Sequence, residues 1–182
     1  MHLNNYLAYT YIEDFNANYI NNLSKNVSLI YRNYKKTNLD DILKIKNLCK
    51  KNKIKFYISN NIKLAIKLNI DGAYIPAFNK SFLHKSYTLK KNFKLIGSAH
   101  NLTEIKIKEK QGVSSIFISS IFKNDKSKKF LGIYKFFNLK KLTTKNVVCL
   151  GGISKNNIKK IKLLRIKNFA SISMFKKLQK KV

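Results

Sequence analysis

Short apolar and β-branched runs recur along the chain, and each gives way to a stretch whose apolar positions fall three and four residues apart. The runs have the length of buried strands, and the wider spacing is that of one helix face. Strands are predicted near residues 8–12, 27–32, 55–58, 72–75, 94–97, 115–119, 147–150 and 169–172. Helical spacing is plainest in "DDILKIKNLCKK", through Ile42, Leu43, Ile45 and Leu48, and in "NNIKKIKLLRI", through Ile158, Ile161 and Leu164. Asp40 is the expected N-cap of the first, and Asn157 or Ser154 of the second. Eight strands alternating with helices, with a single proline and no break in composition, predict an α/β chain: a compact (β/α)8 TIM barrel, one domain over residues 1–182. A doubly wound sheet would leave the strand count unexplained.

In such a barrel, chemistry belongs to the loops that follow the strands. That rule selects Arg32 and Asn33, then residues 59–61, 76–79, 98–100, 119–128 and 151–156, and Ser173. Within "VVCLGGISKNN", a buried strand runs into Gly151 and Gly152 and then towards a helix. Glycine admits positive φ and a close neighbour, and free N–H groups at such a turn can hold an anion. Two readings stand side by side: a phosphate brought against the backbone, or a tight turn that simply ends a strand.

Composition narrows the class. Hydrophobic residues make up 45% of the chain and aromatics 12%, enough for a packed core. No apolar run approaches membrane-spanning length and the first residues lack a signal-peptide layout, so a cytoplasmic protein without membrane partners is expected. Cys49 and Cys149 lie far apart in apolar surroundings and read as core thiols. The formal charge of +30 invites a nucleic-acid reading, which counterion release would reward. Only Arg32 and Arg165 are arginines, however, and the lysines are spread along the whole length among Asn and Ile. Solvated helix faces under compositional bias account for them better than recognition by guanidinium groups does. A homo-oligomer is left open. His2 and His84 read as surface residues, and Asp71 as a turn residue ahead of the fourth strand.

Five stretches carry a resemblance: "IYRNY", "YISNNIKLAIKLNIDGAYIP", "IGSAHNLTEIKIKEKQGVSSIFISSIF", "LGGISKNN" and "FASISMF". Together and in this order they resemble the thiamine-phosphate synthase and thiazole tautomerase family, whose members are (β/α)8 barrels. The third is the most specific, with Ser98-Ala99-His100 entering a helix. The resemblance implies an enzyme of thiamine biosynthesis, a transferase that joins a pyrimidine methyl diphosphate to a thiazole phosphate and releases pyrophosphate. Arg32, Ser98 and His100 would be catalytic. Gly151, Gly152, Ser173, Asn124, Lys126, Lys128, Ser59 and Asn60 would bind the phosphorylated substrates.

The chain also departs from that pattern. The family holds Mg2+ between two carboxylates, and at the matching positions stand Asn60 and Asn79. Ile30, Tyr34 and Ala77 replace the family's Gln, Lys and Gln, while Asn124 with Ser127, or the neighbouring Lys126 and Lys128, stands for its Thr and Lys. The pyrophosphate-handling half is thus expected to be impaired unless lysines 123, 126 and 128 supply the lost charge. Within the family, a tautomerase using His100 as its base and a non-catalytic phosphate binder stay open. A structural His100 that only starts its helix is the plainer alternative. Outside the family, the rival is a lysine-rich nucleic-acid binder.

Overall fold

The computed structural model describes residues 6–124, 129–162 and 164–175. Eight parallel strands, β1 (Leu7–Ile12), β2 (Val27–Tyr31), β3 (Phe56–Ser59), β4 (Gly72–Ile75), β5 (Lys94–Ala99), β6 (Ser115–Ile118), β7 (Asn146–Leu150) and β8 (Asn168–Ala170), pair in chain order. The barrel closes where β8 returns to β1, pairing Leu7 with Asn168, Ala8 with Phe169 and Tyr9 with Ala170. Around it lie α1 (Ala17–Asn21), α2 (Leu39–Lys51), α3 (Ile62–Lys67), α4 (Leu102–Lys110), α5 (Gly132–Lys141) and α6 (Ile158–Lys162). This is the (β/α)8 barrel that the apolar pattern predicts. Among the described residues no helix is long and apolar enough to cross a membrane.

The alternation within each strand separates two apolar layers. Ala8, Ile12, Leu29, Phe56, Ile58, Ala73, Ala99, Ile116 and Cys149 face outwards and join the buried faces of the helices. Tyr9, Tyr11, Ile30, Tyr57, Tyr74, Ile96, Phe117, Val148 and Ala170 fill the barrel. Aromatic rings do there the work usually left to branched aliphatic side chains. Tyr9 meets Phe117 edge to face at 4.8 Å between centroids, and Tyr74 meets Phe117 at 5.4 Å. Cys49 and Cys149 are free buried thiols, as expected, and burial pushes both pKa values up to about 12.

Three local expectations are corrected. Asn38, not Asp40, caps α2: its side chain accepts from the backbone N–H groups of Asp40 and Asp41, and Asp40 sits in the first turn. Asn16, Asn61 and Asn101 cap α1, α3 and α4 in the same way. The β4–β5 connection forms only a single 3-10 turn, Leu83–Ser86, because Phe82 and Leu83 remain exposed and no apolar face favours a longer helix. His84 is 5% exposed rather than on the surface, and its Nε2 donates to the Gln111 carbonyl at 2.7 Å. His2 lies outside the described residues.

Phe117 is fully buried and touches rings from two other strands, so truncation leaves a cavity at the barrel axis. Phe117→Ala is expected to destabilise the fold by about 3–5 kcal/mol in denaturant titrations, measured from the change in midpoint at constant slope.

Candidate active site at the carboxyl-terminal rim

Because all eight strands run parallel, their carboxyl ends form one rim, and every described residue selected from the sequence lies on it or just above it. Arg32 follows β2 directly, its N–H bonded to the Ile12 carbonyl at 2.8 Å. Its guanidinium lies over the Tyr11 ring, 4.3 Å from the centroid. Beside the pair opens a cavity of about 400 Å³ lined by Tyr11, Glu13, Asp14, Asn16, Arg32 and Ile172, among others. The ion pairs of the described residues join Lys55 to Asp71, His100 to Glu104 and Lys106 to Glu109, and none engages Arg32. It shares its cavity with the Glu13 and Asp14 side chains without an ion pair to either. The buried Tyr11 hydroxyl has no hydrogen-bond partner among the described residues; Tyr74 is near but outside bonding geometry. Burial holds the Tyr11, Tyr74 and Tyr34 phenols above their ordinary pKa, so all three stay neutral donors at physiological pH.

The next part of the rim is built from amides. The Ser59 Oγ and Tyr34 hydroxyl lie 2.9 Å apart, and the Tyr34 ring meets exposed Phe78 edge on. Asn60 takes a positive φ of 60°, its N–H bonded to the Tyr74 carbonyl at 2.8 Å. Asn79 Nδ2 donates to Asn60 Oδ1 at 2.7 Å, and Asn79 Oδ1 accepts from the Ser81 N–H at 2.9 Å. Magnesium needs several hard, preferably anionic oxygens in a tight octahedron. Here both amide oxygens are neutral and already hydrogen-bonded to protein. No cluster of three or more His, Cys, Asp or Glu exists among the described residues. The Asn60–Asn79 pair does not fit Mg2+ as it stands.

Ser98 is buried on β5, in the strand position paired with Phe117 of β6 and near Tyr74. His100 is exposed at the start of α4. Glu104 Oε2 accepts from its backbone N–H at 2.7 Å and lies 2.9 Å from its Nδ1, while Asn101 accepts from the Glu104 N–H. This reciprocal capping fixes the imidazole and leaves Nε2 directed elsewhere.

On the far side, Gly151 and Gly152 take φ of 96° and 66°. A side chain on Gly151 would strike Ser120, and one on Gly152 would strike the carbonyls of Phe122 and Lys123. The loop after β6 crosses here, Ile121 N–H bonding the Leu150 carbonyl at 3.0 Å and Phe122 N–H that of Gly151 at 3.1 Å. The group admitted by the two glycines is thus another stretch of this chain. Asn124 Nδ2 donates to Ser120 Oγ at 2.7 Å in the same loop. Ser173 is exposed and donates to the Ile153 carbonyl at 2.9 Å. The α6 helix starts at Ile158, not near Ser154. Asn157 folds back to bond the Gly152 carbonyl and the Ser154 N–H, holding a turn ahead of a helix only five residues long. Lys126 and Lys128, with Asp125 and Ser127, lie outside the described residues. Asp71 accepts from Lys55 Nζ at 2.8 Å and Phe56 N–H at 3.0 Å, tying the start of β4 to β3 at the opposite end of the barrel.

Tyr11 and Lys108 escaped the sequence reading. Tyr11 stands two positions after Tyr9 on β1, the spacing that puts both on the inward face. Lys108 follows Ile105 by three positions, which places it on the buried face of α4.

A closed parallel barrel that brings an unpaired guanidinium, an amide pair, a serine and a paired histidine to one rim is a (β/α)8 barrel of the kind that handles small ligands at that end. The family model described as thiamine monophosphate synthase matches residues 21–175, and the chain belongs to that family. It is 34% identical over 160 residues to the thiamine-phosphate synthase of Pelagibacter ubique, covering 82% of this chain and 75% of that protein. It is 31% identical over 141 residues to the thiamine-phosphate synthase of Prochlorococcus marinus strain AS9601, covering 74% of this chain but 39% of that longer protein. In fold it is similar to the thiamine phosphate pyrophosphorylase of Pyrococcus furiosus, with a TM-score of 0.72 at 16% identity, over 97% of this chain and 94% of that one. Family membership supports a role in thiamine biosynthesis.

The crossing at the two glycines yields a test. Gly151→Ala places a β-carbon against Ser120 at a φ that disfavours any side chain, and is expected to cost about 1–3 kcal/mol or more, read as a lowered thermal midpoint.

Proposed function

We propose that the chain, a single domain acting in the cytoplasm, is a thiamine-phosphate synthase. It would join a pyrimidine methyl diphosphate to a thiazole phosphate. The thiazole nitrogen bonds the pyrimidine methylene carbon as its carbon–oxygen bond to the diphosphate breaks, and pyrophosphate leaves with the electron pair. The observation that carries this reading is Arg32: half-buried, unpaired among the described residues, and braced on Tyr11 beside a cavity of about 400 Å³.

A guanidinium held on an aromatic face can grip the diphosphate through two parallel hydrogen bonds. The Tyr11 hydroxyl offers a further neutral donor next to it. Ser59 and the Asn60–Asn79 amides flank the diphosphate, and Ser98 orients the reacting groups beneath it. Ser173 and Asn124 flank the edge that takes the thiazole phosphate, and the Gly151–Gly152 turn shapes that edge by seating the loop after β6. Lysines 123, 126 and 128, which follow β6 in the sequence, supply cationic charge to the departing pyrophosphate.

Calorimetry with thiazole phosphate and with the pyrimidine diphosphate, titrated separately, tests this reading. Both are expected to bind, and Arg32→Ala should weaken the diphosphate by about 10- to 100-fold, the worth of a charged hydrogen-bonding group. Unchanged diphosphate affinity in that variant contradicts the assignment.

The pairing of His100 with Glu104 favours a second reading, a thiazole tautomerase in which Nε2 moves a proton on the thiazole carboxylate. It predicts that His100→Ala slows aromatisation of the thiazole carboxylate by about 100-fold or more in a spectroscopic assay, while thiazole phosphate still binds.

A further inference from the structure

The loop after β4 carries Asn79, and it is fastened from below by a buried cation. Lys108 on α4 is 0% exposed. Its stem runs beside Gly97 of β5, where a β-carbon would stand 3.0 Å from Lys108 Cδ; the missing side chain makes room for it. Lys108 Nζ donates to the Asn79 carbonyl at 2.7 Å and to Gln111 Oε1 at 2.8 Å. Gln111 Nε2 donates to the Asn79 carbonyl at 3.1 Å and to the Ser81 carbonyl at 2.8 Å. The Gln111 carbonyl in turn receives His84 from the 3-10 turn.

Three hydrogen bonds from α4 and its C-cap thus hold the main chain at residues 79–81, a fourth joins Lys108 to Gln111, and the Asn79 side chain reaches up to Asn60 at the rim. A buried ammonium is costly unless its protons find acceptors. Burial lowers the Lys108 pKa to about 8, with nearby Glu104 opposing the shift. Charged or neutral, the amine keeps two protons for its two acceptors. Removing it leaves the Asn79 carbonyl with the longer Gln111 Nε2 bond alone and Gln111 Oε1 without its donor.

We propose that Lys108 is a positioning residue that does inside the wall what a divalent cation would do at the rim: it fixes the β4 loop so that the Asn60–Asn79 edge is presented to an anionic ligand without a metal. The proposal rests on the synthase reading for the identity of the ligand but not for its test. An edge made of two joined amides needs no cation to hold two like charges together. It also needs its backbone fixed from elsewhere, and Lys108 with Gln111 supplies that.

Amide hydrogen exchange on the full chain, paired with calorimetry, decides it. In wild type, millimolar Mg2+ alone should leave exchange at Asn60, Asn79 and Ser81 unchanged. Lys108→Met should speed exchange by about tenfold or more at residues 78–84 and at Asn60, with β1 and β2 as protected as before. The same variant should weaken thiazole phosphate or pyrimidine diphosphate binding by about tenfold. Gln111→Leu, which removes the glutamine's three bonds but keeps that of Lys108 to the Asn79 carbonyl, should also speed exchange at the same residues. Protection of Asn60 and Asn79 by Mg2+ in wild type overturns the proposal, as does unchanged loop exchange in a folded Lys108→Met or, should that variant not fold, in Gln111→Leu. If wild type binds neither substrate, the synthase reading fails, and the exchange data still decide the role of Lys108.

Discussion

The pairing of β8 with β1 is the contact on which the rest depends. Three residue pairs, from Leu7 with Asn168 to Tyr9 with Ala170, turn a row of parallel strands into a closed wall and bring every carboxyl end to one rim. Without closure, Arg32 after β2 and the turn after β7 would lie on distant parts of an open sheet. Closure also fixes register. A slip of one residue would turn Tyr9, Tyr11 and Tyr57 out of the barrel and into the helix layer.

Packing and chemistry share residues here. The Tyr11 ring is core, its face supports Arg32, and its buried hydroxyl has no hydrogen-bond partner among the described residues. Tyr74 likewise packs on Phe117, and burial raises the pKa of its phenol. A barrel filled with aliphatic side chains would end in an apolar floor. This one ends in phenols that burial keeps protonated, which suits a site for anions.

The asparagine bias acts in the same direction. Asn16, Asn38, Asn61 and Asn101 cap four helices, and in a (β/α)8 barrel those helix starts surround the active rim. The chain has only 8 acidic residues, and caps made of amide leave the rim without the negative charge that aspartate caps would add. The amide pair at Asn60 and Asn79 follows that pattern, with a hydrogen bond where the family's motif has two carboxylates. What compositional bias took from metal chemistry, an internal lysine can return as mechanical support.

The positions of all eight strands, the order of the barrel and the family could be read from local pattern, because period and motif are properties of neighbouring residues. The Ser98-Ala99-His100 stretch and Arg32 were likewise visible as strand ends. The Asn38 cap, the short turn after β4 and the burial of His84 were not, since each depends on which surface its segment meets after folding. Only the closed barrel decided that Gly151 and Gly152 make room for the loop after β6. It also decided that a lysine on α4 passes beside Gly97 to hold Asn79, because both contacts join residues about thirty positions or less apart in sequence through walls that exist only once the strands have paired.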